Sequence, residues 1–439
     1  MTSWRVKNFI LLIFSLIFYS WGEPIYILLM VFTAFFDWGF GLIITRQKEK
    51  SRLCRATLIF AIATNLGLLA YFKYSGLIFP TFSVALPIGI SFYTFQALSY
   101  VIDVYRGEVE PQKSLPDFIL YVSLFPQLIA GPIVRYRDIA DQLRNRTHSL
   151  TLAASGIRTF CAGLAKKVLL GNAFGAFWVV IRDLAPDRRT ALAAWLGLLG
   201  FTFQIYFDFS GYSDMAIGLG KIFGFRFPEN FHYPYTAKNA TDFWRRWHIT
   251  LSSWFREYLY IPLGGNRCGR GRTILNMLIV WSLTGFWHGA SLNFLLWGVY
   301  WFVLLTLGKL FFDRITEKLP SLIPRTLTFF AIMLGWLIFV FDGSEKSLTA
   351  GNGLIYLGNL FGSQGFANGT DVYDLVRFLP LTVIAAIAST PLPRRLFYKL
   401  YERRGAVGWA AGVACIVSLI LSTAALLASS YNPFLYFRF

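Results

Sequence analysis

His288 stands in Trp287–His288–Gly289, between two apolar runs at 274–287 and 290–307 that carry no charge. An imidazole so placed lies in or near a lipid bilayer, where a titratable group is costly to hold and is by default functional. Histidine is also the side chain best matched to moving protons near neutral pH. The same residues fit an imidazole bonded to a helix-terminal carbonyl inside a bundle, and this segment alone leaves both readings open. His248 belongs to a second constellation, Asp242-Phe-Trp-Arg-Arg-Trp-His248, which continues to Arg256-Glu-Tyr258. Its spacing predicts a helix with Trp and Arg interleaved. Arg245, Arg246, Arg256, Arg267, Arg270 and Arg272 outnumber Asp242 and Glu257 around it. That excess of guanidinium suits the phosphates of coenzyme A or an acidic carrier protein. It suits equally an interfacial helix with snorkelling arginines. Gly264–Gly265 would let backbone approach a ligand closely.

Gln204, Asp208 and Tyr212 follow an i, i+4, i+8 spacing and share one helix face, with Ser210 and Asp214 adjacent. Carboxylates within a span face a bundle interior or a cavity, so this face lines a polar passage or carries a hydrogen-bond network between helices. His148 and His232 read as ordinary loop residues.

The elements that position these groups are apolar helices. Of 439 residues, 56% are hydrophobic and only 15% charged, and apolar runs recur from end to end. Each bilayer crossing takes roughly 20 apolar residues. The expected fold is therefore an all-α polytopic integral membrane protein, one domain over 1–439, with about 11 transmembrane helices. Spans are expected near 5–22, 24–44, 56–72, 77–101, 152–181, 190–219, 274–288, 290–310, 324–341, 375–391 and 406–430. Pieces 117–132 and 241–263 are too short or too polar to cross and read as re-entrant or interfacial helices. The net charge of +18 sits in short loops, which excludes nucleic acid as its explanation in favour of membrane topology. Basic loops inside and the acidic segment 342–374 outside give an inner N-terminus and an outer C-terminus. The loop 182–189 breaks the rule, since it should lie outside yet carries Arg182, Arg188 and Arg189. His288 then lies about 24 Å into a core of about 30 Å, toward the outer face. The four cysteines are far apart and read as reduced and structural; no metal spacing is present.

Four segments occur in order: Tyr206-Phe-Asp-Phe-Ser-Gly-Tyr-Ser-Asp214, Asp242-Phe-Trp-Arg-Arg-Trp-His-Ile-Thr-Leu-Ser-Ser-Trp254, Tyr260-Ile-Pro-Leu-Gly-Gly-Asn-Arg267 and Trp287-His-Gly289. Upstream stand Leu86-Pro-Ile-Gly-Ile-Ser-Phe-Tyr93 and Ala130-Gly-Pro-Ile-Val-Arg-Tyr-Arg137. The set resembles the membrane-bound O-acyltransferase family, in its bacterial alginate O-acetyltransferase branch. The resemblance implies a core at about 70–312 around a central tunnel, C-terminal helices at 313–430 and an aromatic tail at 431–439. It implies residence in the bacterial inner membrane. It also implies acyl transfer from a cytoplasmic thioester, acetyl-CoA or an acyl carrier protein, for O-acylation of an exported polysaccharide, with no bound cofactor. His288 matches the family's catalytic histidine and His248 its second histidine. Arg245, Arg246, Arg256 and Arg267 are the expected donor-binding residues. Gln204, Asp208, Tyr212, Asp214 and Trp287 are expected to line the tunnel. Relatives carry one more hydrophobic span before the segment matching 11–24, so the chain is expected to start short of it.

The tail Tyr431-Asn-Pro-Phe-Leu-Tyr-Phe-Arg-Phe439 reads as an aromatic anchor at an interface. It is also similar to the acceptor tail of the small partner protein in teichoic-acid D-alanylation. That likeness implies that Tyr436 accepts the acyl group and passes it to a periplasmic transferase with a serine nucleophile (SGNH-like). A phenol with a pKa near 10 leaves more readily than an aliphatic alcohol, so a tyrosyl ester stays activated. Two other classes remain in view: a proton-coupled or solute transporter, which the lack of an internal repeat disfavours, and a scaffold for a periplasmic transferase.

Overall fold

The computed structural model describes residues 3–47, 51–78, 84–129, 131–316, 318–341, 350–403, 406–428 and 434. Among them every element is a helix, apart from one isolated bridge between Ser363 and Gly365. Seven helices are long and apolar enough to cross a membrane, or eight if Gly369–Ala388 and Leu392–Tyr401, bent by 65°, form one broken span. The expected eleven are not all met by that measure, for local reasons. Trp4–Gly22 opens with Arg5, Lys7 and Asn8, and Arg270–His288 begins with two arginines. The expected span 77–101 splits: Arg52–Ile78 is one helix, and the next runs only from Ile90 to Arg106.

The chain divides into two compact units, Met1–Phe160 with Met215–Glu229 and Ser253–Pro262, and Cys161–Asp214 with Asn230–Ser252 and Leu263–Phe439. In the first unit the helix Ile90–Arg106 is the core. Fourteen of its 17 residues are buried, so it is covered on all sides. Gly89, at φ 78, starts it in a backbone that favours glycine. Polar groups tie its surroundings: Asn65 Nδ2 donates to Asp37 Oδ1 at 2.7 Å, and Asn8 Nδ2 to Asp117 Oδ1 at 2.8 Å. Arg146 Nη1 donates to Asn8 Oδ1 at 2.6 Å and lies over the rings of Trp4 and Phe225.

In the second unit the long apolar helices carry the site. Ala191–Ile222 contributes its residues up to 214, followed by Arg270–His288, Leu292–Leu307 and Leu322–Val340. Ser291 caps Leu292–Leu307 by accepting from Asn293 N, and Asn293 Nδ2 donates to the carbonyls of Ile338 and Phe341. That clamps two helix ends beside His288. The start of Ala191–Ile222 is held by Ala191 N and Leu192 N, which donate to Gly365 O at 3.0 Å and Phe366 O at 2.9 Å. The arginines of 182–189 are largely consumed there. Arg189 is buried and donates to the carbonyls of Ile181, Arg182 and Leu184. Arg182 pairs with Asp183 at 2.7 Å. Charges spent on a helix end and on a neighbouring carboxylate weigh little in a loop-charge rule.

Candidate active site

The segment around His248 is not the continuous helix that its spacing predicts. Ala240–Trp244 forms one short helix, capped by Asn239, whose side chain accepts from Asp242 N at 2.7 Å. Ile249–Phe255 forms another, followed by a π-helical turn at Arg256–Tyr260. Between them His248 takes φ 43, a left-handed backbone uncommon for a side chain of this kind. Asn230 holds the break: its Oδ1 accepts from Thr250 N at 3.3 Å and Thr250 Oγ1 at 2.9 Å, and its backbone carbonyl from Ile249 N at 2.9 Å. The same Oδ1 lies 3.1 Å from His248 Nδ1. Because that oxygen accepts from Thr250, the network assigns the proton to Nδ1 and leaves Nε2 as the basic nitrogen. Burial pushes the imidazole well below its ordinary pKa, so it is neutral at physiological pH.

His288 is the last residue of Arg270–His288 and is buried. Its ring meets Trp287 at 4.8 Å, Trp297 at 5.1 Å and Phe339 at 5.1 Å between centroids. Glycine is required next to it: a Cβ on Gly289 would stand 2.4 Å from the Phe294 ring.

Both histidines line one narrow cavity, with about 30 Å³ of space for water. Its other walls are Asp208, the indoles of Trp244, Trp247, Trp297 and Trp336, and Ile205, Phe209, Leu251, Phe339 and Phe434. The site is thus an aromatic box with three ionisable side chains. Two imidazoles in so dry a space are suited to proton transfer, since low dielectric strengthens each polar contact.

The remaining sequence-predicted residues are placed as follows. Asp208 is on the cavity wall. Gln204 packs on Gly175, where a Cβ would come within 2.6 Å of its Nε2. The Tyr212 ring lies 4.9 Å from that of Phe434, and Asp214 Oδ2 is 2.6 Å from Lys166 Nζ. Trp287 stacks edge to face on His288. Arg246 is paired with Asp242 at 2.7 Å, while Arg245 and Arg267 are exposed in the second unit and Arg256 in the first. Gly264–Gly265 forms a turn in left-handed backbone, φ 107 and 53, held by Asn276 Nδ2 on the carbonyls of Leu263 and Gly265. His148 and His232 are exposed. Tyr436 lies outside the described residues, as does the tail apart from Phe434, which is buried on the cavity wall. Among the described residues no group of three or more His, Cys, Asp or Glu is placed to hold a metal ion.

Sequence reasoning missed Asn230, Lys167 and the indole walls. The tryptophans carried a signal, their density in 244–301; Asn230 carried none that separates it from other loop asparagines.

Residues 108–341 match the family model of the membrane-bound O-acyltransferases. The chain is 35% identical to "Probable alginate O-acetylase AlgI" of Pseudomonas putida, over 99% of this chain and 95% of that protein. It is 40% identical to the protein of the same description in Pseudomonas aeruginosa, over 76% of this chain and 67% of that one. A "Peptidoglycan O-acetyltransferase" of Helicobacter pylori is 33% identical over 81% of this chain and 71% of its own length.

Proposed function

Because the chain belongs to the membrane-bound O-acyltransferase family and is a multi-pass O-acyltransferase, we propose that it acetylates an exported polysaccharide through a relay. The donor is a cytoplasmic thioester, acetyl-CoA or a carrier protein, met at the inner face of the bacterial cytoplasmic membrane. Arg245 and Arg267 attract its phosphates, as does Arg256 of the first unit, while Arg246 is tied to Asp242. The N-terminus lies inside and the C-terminus outside. His288 is the general base. His248, neutral and fixed in one tautomer, orients the acyl group or hands on a proton. A thioester is already activated, so an oriented hydroxyl and a base suffice.

One observation carries the relay: Phe434 lines the same cavity as His248 and His288. Tyr436 follows Phe434 two residues later in the sequence. Its phenol accepts the acetyl group, and a periplasmic SGNH-like transferase takes it on to the glycan. The relatives act, by their descriptions, on alginate and on peptidoglycan, which supports an exported glycan as the acceptor.

The test is purified protein incubated with labelled acetyl-CoA, followed by mass spectrometry of the C-terminal peptide. The expected result is an acetyl mass on Tyr436 that is lost in His288→Ala, and loss of glycan acetylation in a Tyr436→Phe strain with normal membrane levels. Full glycan acetylation in that strain overturns the relay. His288-independent thioester loss overturns the base assignment.

A further inference from the structure

Among the described residues Asp208 is the acidic side chain on the wall of the cavity that holds His248 and His288. It is 3% exposed, and its partner Lys167 is 9% exposed. Lys167 Nζ stands 2.6 Å from Asp208 Oδ1 and donates to Asn172 Oδ1 at 2.8 Å. A buried ion pair is a weak source of stability, often no better than apolar side chains of the same volume. Its presence beside the histidines therefore calls for another account.

The backbone is shaped around this pair. Lys167 lies in a π-helical turn, Lys166–Gly171, inside the long helix that runs to Arg182. Such irregularities occur frequently at functional positions. A Cβ on Gly171 would stand 3.0 Å from Asp208 N, and one on Gly211 2.8 Å from Lys167 N. The two segments thus meet backbone to backbone where the charges pair. The adjacent pair, Lys166 Nζ–Asp214 Oδ2 at 2.6 Å, joins the same two segments, but its side chains are about 30% exposed and are not on the wall. Lys167 is not on the wall either, so its pair presents only its negative end to the histidines.

We propose that Lys167 is a positioning residue that keeps Asp208 ionised on the cavity wall, as the counter-charge to the imidazolium formed during acyl transfer. This rests on the acyl-transfer reading above. In that reaction the acceptor oxygen bonds to the acyl carbon, its proton passes to His288, and the carbonyl electron pair moves onto oxygen. The intermediate then breaks its carbon–sulfur bond, and the imidazolium gives the proton to the departing sulfur. Between these events a cation stands among aromatic side chains with little water to screen it. Among the described residues Lys167 pairs with Asp208, and His248 and His288 line the same cavity. Without Lys167, a carboxylate in so apolar a wall takes up a proton, and the counter-charge is lost.

The experiment is turnover of labelled acetyl-CoA by purified full-length protein, with kcat and KM followed across pH. Lys167→Met/Asp208→Asn replaces the ion pair by neutral groups of similar size. We expect it to melt near the parent temperature yet lose about tenfold or more in kcat, with KM unchanged. Lys167→Arg should retain both kcat and the pH profile. Lys167→Met alone should move the acid limb of kcat to higher pH, because Asp208 must then ionise unaided. A double neutral variant with parental kcat and pH profile overturns the proposal and leaves a structural pair. If that variant does not fold, an unmoved acid limb in Lys167→Met overturns it. His288→Ala runs alongside: full turnover there would sink the acyl-transfer reading itself, whatever Lys167 does.

Discussion

Among the described residues a dense cluster of charge and the candidate active site lie in different units, and they are built on opposite terms. In the first unit Glu257 accepts from Arg135 at 2.8 Å and from Arg137; Arg137 also donates to Glu108 at 2.8 Å, and Arg135 pairs with Asp138 at 3.2 Å. Tyr258 donates to Asp103 beside them. Arg135, Arg137, Glu108, Asp138 and Glu257 are all ion-paired, and these side chains keep about a fifth to two fifths of their surface in water. Among the described residues the cavity of the second unit has Asp208, His248 and His288 as its ionisable side chains, in a wall otherwise aromatic and aliphatic. Exposed ion pairs of this kind are screened by solvent and salt, and each contributes little. A dry box with few polar groups makes each of them decisive. Density of charge therefore accompanies architecture here, and scarcity of it accompanies the candidate site.

The strongest way to break that comparison is at His288. Removing a general base costs about 10²–10⁴ in rate. His288→Ala should lose acyl transfer on that scale while melting within a few degrees of the parent. Equal losses from Glu257→Gln would show that the two regions are not distinct in kind.

A smaller effect is expected at Asn230, which fixes both the tautomer of His248 and its left-handed backbone. Asn230→Ala leaves the His248 Nδ1–H and the Thr250 hydroxyl without their common acceptor, at about 1–3 kcal/mol. Its melting temperature should fall, and turnover should drop less than in His288→Ala. Parental values for both would mean that His248 is held by something else.

These residues also show what a sequence makes visible. Hydropathy is local, so the apolar helices and the position of His288 at the end of one of them are readable from composition alone. The helix face of Gln204, Asp208 and Tyr212 follows from spacing, because Ala191–Ile222 is regular along its length. Three things were not readable. The helix Ile90–Arg106 looks like a bilayer span but is buried on all sides, since apolarity does not distinguish lipid from protein as the covering. The helix break at His248 depends on Asn230, 18 residues away, and no local pattern demands it. Lys167 reads as one more basic residue until its π-helical turn brings it to Asp208.

The smallest effect sharpens the comparison from the other side, by titrating the paired cluster. Burial raises the affinity of Glu257 for its proton, but Arg135 and Arg137 outweigh it, so its pKa lies below the ordinary carboxylate value. A carboxylate with a depressed folded pKa stabilises fully above its unfolded value, near pH 4.3, and loses that contribution as pH falls through the folded one. Glu257→Gln should therefore melt lower than the parent at pH 7, by at most about 2–4 °C given the exposure of the pair. The gap should close as the pH is lowered below about 4, where the parent carboxylate is itself taking up a proton. High salt should narrow it too, since exposed pairs are screened. Acyl transfer at pH 7 should stay within about threefold of the parent, in contrast to every change made on the cavity wall. A gap in melting temperature that widened in acid would reverse the sign of this pairing and remove the cluster's claim to be architectural.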